Sequence, residues 1–182
     1  MDDAKTFTSF AGTRLVATGD LRTMLLATKK RLDRAPHTPV LIFDDTTGAQ
    51  VEHDFRGTAE EVLARELQAP RAPGPGRPKL GVVSREVTLL PRHWEWLEQQ
   101  PNGISAALRR LVEEARKREP EKERTRRARA AASRVMTALA GDLPGYEEAT
   151  RALFAGDAAK LAALTRRWPK DVRAYVARLA SA

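Results

Sequence analysis

Cysteine is absent from the 182-residue chain, which excludes disulfides and thiolate metal sites and leaves the redox compartment unread. No apolar run approaches the roughly 18 residues that a membrane-spanning helix needs. The first residues, MDDAKTFTSF, are acidic and lack an apolar stretch, so a secretory leader is not expected. A soluble cytoplasmic protein without a membrane partner is the expectation. The Gly-rich phosphate loop and the H-E-x-x-H and H-x-x-x-H patterns are missing, and the three histidines, His37, His53 and His93, lie in different elements. No enzyme, cofactor or metal is expected on that ground. Apolar residues make up 42% and charged residues 31%, so part of the chain is expected as solvated helix or linker.

The net charge of +8 is unevenly placed. Residues 1–76 carry 10 Lys/Arg against 11 Asp/Glu, residues 77–134 carry 15 against 8, and residues 135–182 carry 7 against 5. Nearly all the excess sits in the middle segment, which is the footprint of a polyanion binder. Glu and Arg are also interleaved from Glu113 to Arg129, and a solvated, salt-bridged helix has the same composition.

The pattern predicts an α+β fold class: a small ββαββα domain over 1–68, a central strand-helix-helix dimerisation unit and a C-terminal helical bundle. TFTSF and TRLVAT read as a hairpin around Ala11-Gly12. Asp20 caps a helix to Arg34 with Leu21, Met24, Leu25, Ala27 and Leu32 on its buried side. PVLIFDD and AQVEHDF read as two further strands, and Thr58 with Glu61 forms a capping box for a helix to about Gln68. The ββαββ order is compatible with a β-grasp layout, which carries no function. Residues 69–79 form a Pro/Gly linker ending in a GRPK arm, residues 80–119 the strand-helix-helix unit, and residues 120–141 a basic helix. Residues 142–182 are expected as a small domain of three short helices. Its core would be Leu153, Phe154, Leu161, Leu164, Trp168, Val172, Tyr175, Val176 and Leu179.

In the central unit a β-prone run ends at Leu90-Pro91, with Pro91 opening a helix on which Trp94 and Leu97 lie three apart. Pro101-Asn102-Gly103 follows, and Ser105 is placed to cap a second helix with Leu108, Leu111, Val112 and Ala115 at helical spacing. One strand and two short helices cannot bury their own apolar surface, and a lone strand leaves both edges unpaired. A homodimer around a shared two-stranded ribbon is therefore expected.

The segment REVTLLPRHWEWLEQQPNGISAALRRLVEEA resembles the ribbon-helix-helix family of bacterial DNA-binding proteins, the MetJ/Arc-like repressors. That resemblance implies paired strands in the major groove of double-stranded DNA, with alternate side chains reading base edges. It also implies a second helix whose N-terminus holds a phosphate, which makes Ser105 and the amides near it candidate anchors. Two strand registers stay open. One turns Arg85, Val87 and Leu89 to the DNA, and the other turns Glu86 and Thr88 outward. Either offers few hydrogen-bonding side chains, so the ribbon can equally serve as a dimer interface alone. Over its whole length the chain also resembles an uncharacterised bacterial family with the same α+β front, ribbon-helix-helix-like middle and helical tail, a resemblance that brings no activity.

Gly76-Arg77-Pro78-Lys79 resembles the core of an AT-hook, which lies in the narrow minor groove of A·T-rich DNA, although Pro75 stands where the usual flanking arginine would be. Arg124, Arg126, Arg127, Arg129 and Arg134 of the basic helix are placed to track phosphates, contacts that add salt-sensitive affinity without sequence choice. The expected function is a homodimeric DNA-binding protein, a transcriptional regulator, contacting DNA through Arg77, Lys79, Arg85, Thr88, Ser105, Arg124, Arg126 and Arg127. The alternative is a dimeric scaffold that binds other proteins through its N- or C-terminal domain. A third reading, a hydrolase or metal site, requires His53 to converge with Asp44, Asp45 and Asp54 in one cleft.

Overall fold

The computed structural model describes residues 5–67 and 83–181. In chain order these form β1 (Phe7–Ala11), β2 (Arg14–Gly19), α1 (Leu21–Arg34), β3 (Val40–Asp44), α2 (Ala59–Glu66), α3 (Pro91–Glu98), α4 (Ile104–Arg118), α5 (Pro120–Ala140), α6 (Tyr146–Ala155), α7 (Ala158–Leu164), a 3₁₀ turn (Thr165–Arg167) and α8 (Lys170–Ala180). They divide into two units, one made of Met1–Gln68 with Arg124–Ala182 and the other of Ala69–Glu123. The linker expected at 69–79 lies outside the described residues.

The first unit is built on a three-stranded antiparallel sheet of order β2-β1-β3. Gly12, at φ +60°, makes the turn from β1 to β2, and a bulge after Ser9 shifts the register so that Phe10 faces Leu15. Alternation sends Phe7 and Ile42 to one face, where they pack with Met24, Leu25 and Val62 of α1 and α2. Phe10 and Phe43 point to the other face, into a core with Val135, Met136, Leu153, Val172 and Val176 from α5, α6 and α8. The central strand is therefore buried on both sides. Thr8 and Ser9, whose polarity suggests a solvated face, are fully buried and hydrogen-bonded. Ser9 accepts from Thr28 of α1 at 2.8 Å, and Thr8 donates to Asp45 at 2.7 Å.

Residues 1–68 and 142–182, expected as separate domains, both contribute to the core on the Phe10 and Phe43 face. A sheet with large apolar side chains on both faces needs two covers, and α1 with α2 supplies only one. The fourth strand expected at 49–55 does not form. Gln50 makes a single bridge with Phe43, and Val51 donates to Ile42 at 2.9 Å. Beyond that the chain leaves the sheet, because His53 and Asp54 are drawn to α2. His53 Nδ1 lies 2.6 Å from Glu66, and the Asp54 amide donates to the same carboxylate at 3.1 Å.

The caps of α1 and α2 are those the sequence encodes. Asp20 accepts from the Thr23 amide at 2.7 Å, and Thr58 and Glu61 form a reciprocal capping box. In α5 the buried face is mostly alanine, with Ala128, Ala131, Ala132 and Ala140 beside Val135 and Met136. Small side chains let the turn after β3 come close. Gly48 (φ +66°) sits so near that a Cβ would lie 2.2 Å from the Ala131 carbonyl oxygen, and Arg134 donates to the Thr47 carbonyl at 2.6 Å. In the helical tail, Trp168 is buried with its indole N–H on the Pro144 carbonyl at 3.0 Å. Phe154, expected in this core, is instead 53% exposed, because the last turn of α6 before Gly156 turns it outward.

The second unit has a different economy. Leu90 is the N-cap of α3 and Pro91 its first residue, as the Leu-Pro step predicts. Asn102 (φ +67°) and Gly103 (φ +80°) turn the chain into α4. Among the described residues of this unit only Leu97 and Ala107 are buried. Residues 83–90 form no strand. A strand is defined by its partner, and the described residues supply none here.

Candidate nucleic-acid interface

Arg85 and Thr88 are exposed on the segment 83–90, whose register no partner sets. Arg77 and Lys79 lie outside the described residues. Ser105 is exposed at the second position of α4 and is not the cap. Gly103 takes that place, with no side-chain hydrogen bond. The cause is local, since the φ of +80° at Gly103 already turns the chain into the helix, so α4 begins one residue before Ser105. Without a capping side chain, and with no acidic residue in its first turn, the start of α4 keeps its free amide donors and their partial positive charge.

Arg124, Arg126 and Arg127 are exposed on the first half of α5. Two arginines expected beside them are spent within the fold. Arg129 donates to the Phe154 carbonyl at 2.9 Å, and Arg134 to Thr47. Gly156 is needed for the first contact, because a Cβ there would lie 2.3 Å from the Arg129 guanidinium. Part of the charge in α4 and the start of α5 is paired along the helix, as in Arg116–Glu113 at 3.0 Å and Lys122–Glu119 at 2.7 Å. Such exposed pairs contribute little to stability.

The convergence of histidine and aspartates needed for a hydrolase or metal site does not occur. His53 binds Glu66 between the ring edges of Phe7 and Phe55. Burial pushes the Glu66 carboxyl up, but the bonds from His53 and the Asp54 amide outweigh it and hold the group below its ordinary value. Asp54 is held well below the carboxylate range, first by its side-chain bond to Arg56. Asp44 pairs with Lys5 at 2.9 Å and accepts the Thr46 and Thr47 amides, a turn role. Asp45 is engaged elsewhere, by Thr6, Thr8, Tyr175 and Arg178. Among the described residues no group of three or more His, Asp or Glu could hold a metal ion.

What the sequence does not disclose is the role of Asp45. Its carboxylate, 6% exposed, accepts from Thr6 at 2.9 Å, Thr8 at 2.7 Å, Tyr175 at 2.8 Å and Arg178 at 3.1 Å. Burial, and then the Asp45 charge, push the Tyr175 phenol far above its ordinary value. The phenol therefore stays protonated and acts as a donor, not a nucleophile. The cluster ties α8 to the sheet across 130 residues of sequence, and no local pattern signals it.

A three-stranded sheet covered by helices on both faces, with a second unit of two helices, defines a mixed α/β protein of mainly helical content. The chain belongs to a bacterial family described as "Uncharacterized protein conserved in bacteria (DUF2239)", whose profile matches residues 6–180. No curated protein and no solved structure shows a detectable match. Among the described residues no helix is long and apolar enough to cross a membrane.

Proposed function

We propose that the protein is a homodimeric DNA-binding protein of ribbon-helix-helix type, acting as a transcriptional regulator in the cytoplasm. The carrying observation is the unburied apolar surface of the second unit. Val83, Val87, Leu90, Trp96, Leu111 and Val112 are 39–71% exposed, while among the described residues of the unit only Leu97 and Ala107 are fully buried. Burying a large apolar side chain contributes roughly 1.5–3 kcal/mol, so this unit gains most by pairing with a copy of itself. Pairing would also give residues 83–90 the ladder they lack. The uncapped start of α4 beside Ser105 then serves as a phosphate anchor, and Arg85 with Arg124, Arg126 and Arg127 supplies further backbone contacts. Arg77 and Lys79 complete the set as a minor-groove arm.

The exposed Val87 (52%) and its neighbour Glu86 favour one competing reading, a dimeric scaffold for other proteins, since neither suits a phosphate-lined groove. Light scattering of the full chain together with duplex binding over a salt series separates the two. A dimer whose affinity falls steeply with salt, and whose salt slope drops in the triple variant Arg77→Ala, Lys79→Ala, Arg85→Ala, supports DNA binding. A dimer that binds no duplex at low salt leaves the scaffold, and a monomer at all concentrations removes both.

A further inference from the structure

Between α7 and α8 lies a pocket of about 340 Å³. Its floor is Leu161, Thr165 and Val176, each at most 7% exposed. The Thr165 hydroxyl donates to the Leu161 carbonyl at 2.9 Å, so this residue brings no free donor to the pocket. The walls are exposed alanines, among them Ala162, Ala174 and Ala177. Alanine keeps both helices regular but is too short to close the space between them. Water in such an apolar space is readily displaced by apolar matter.

One end of the pocket is different. Arg173 lines it, and its guanidinium gives one hydrogen bond, to the Arg166 carbonyl at 3.1 Å. Among the described residues no carboxylate pairs with it. The nearest in sequence, Asp171, already accepts the Leu15 amide at 2.9 Å. From Arg173 to Ser181 at the other end, the α8 wall runs about 12 Å at the helical rise per residue. The pocket is therefore an apolar slot of about that length with an unpaired cation at one end.

We propose that this slot binds a small anionic amphiphile, a carboxylate with an unbranched apolar chain, with the chain over Leu161 and Val176 and the carboxylate on Arg173. A planar guanidinium recognises a carboxylate through two parallel N–H bonds, whereas an amine of the same length would meet like charge.

The test uses octanoate and octylamine as probes on the full chain, read by methyl NMR at Ala162, Ala174 and Ala177. Octanoate is expected to shift these methyls saturably, and octylamine to leave them unmoved. Arg173→Gln should weaken octanoate about tenfold, the scale of a lost charge-assisted pair. Ala177→Leu and Ala162→Leu, both at exposed positions, fill the slot from either wall and should each abolish the shifts while the remaining spectrum is kept. Unsaturable shifts, equal binding of octylamine, or full affinity in both leucine variants would overturn the proposal. Shifts of the same methyls on diluting the protein alone would overturn it too, by showing that a second copy fills the slot.

Discussion

The unit built from the two ends of the chain fills two cores, one on each face of its sheet, whereas among its described residues the unit in the middle fully buries only Leu97 and Ala107. Both are made of amphipathic elements at similar spacing. The difference is that β1 and β3 carry large side chains on both faces, so each face recruits a helical layer from the same chain. The helices α3 and α4 leave Trp96, Leu111 and Val112 exposed. A region that completes its burial internally gains stability at any concentration, while one that does not must gain it from a partner.

The largest expected effect tests that contrast directly. Phe43 is fully buried at the junction of β3 with the helical layer, in edge contact with Phe10 and beside Tyr175. Phe43→Ala should cost about 3–5 kcal/mol, as truncation of a buried aromatic does. Thermal unfolding should show the same loss at every protein concentration. Trp96→Ser, at a residue 47% exposed in the second unit, should behave in the opposite way. It should leave the main transition alone at high dilution and lower the concentration-dependent part of the melting temperature. If Phe43→Ala proves concentration-dependent, the first unit is not self-sufficient and the contrast breaks.

Gly48→Ala is the next largest. Its φ of +66° is strained for alanine, and the added methyl would meet the Ala131 backbone of α5. A cost of roughly 1–3 kcal/mol follows from backbone strain alone. Denaturant unfolding checks it, and a cost near zero would mean that the turn does not need its close approach to α5.

How much of this was legible beforehand depended on whether each signal is local. Asp20, the Thr58–Glu61 box, the Pro91 helix start and the turn at Gly12 act within a few residues, and each stands where the spacing places it. The cover on the second face of the sheet was not legible, because Phe10 and Phe43 meet α5, α6 and α8, which lie far along the chain. The same holds for the Asp45 cluster, which needs Tyr175 and Arg178 from the far end of the chain. Charge was legible only as a sum. That Arg129 and Arg134 are spent on main-chain carbonyls is a tertiary fact.

Acid should reveal how the first unit holds α2. Because the folded Glu66 carboxyl is held below its ordinary value of 4.5, it contributes stability above that pH. The contribution is lost as the pH falls through the lower folded value. Glu66→Gln should therefore be less stable than the parent near neutrality, and the gap should close progressively below about pH 4.5. Unfolding free energies measured across that range decide it. A gap independent of pH would mean that the carboxylate charge plays no part in holding His53.

The smallest effect sharpens the comparison most. Ser105 occupies the sequence position of a helix cap, and losing a true serine cap costs typically about 1 kcal/mol. In the folded chain Gly103 is the cap, and Ser105 makes no capping bond. Ser105→Ala should then change stability by less than about 0.5 kcal/mol, the range of ordinary surface substitutions. Its hydroxyl would still be one of the donors beside the open amides of α4. Under the DNA-binding reading the variant should lose duplex affinity modestly and uniformly across sequences while its melting curve stays unchanged. A fall in stability without a fall in affinity would return Ser105 to the role of a cap and take the phosphate anchor away from the start of α4.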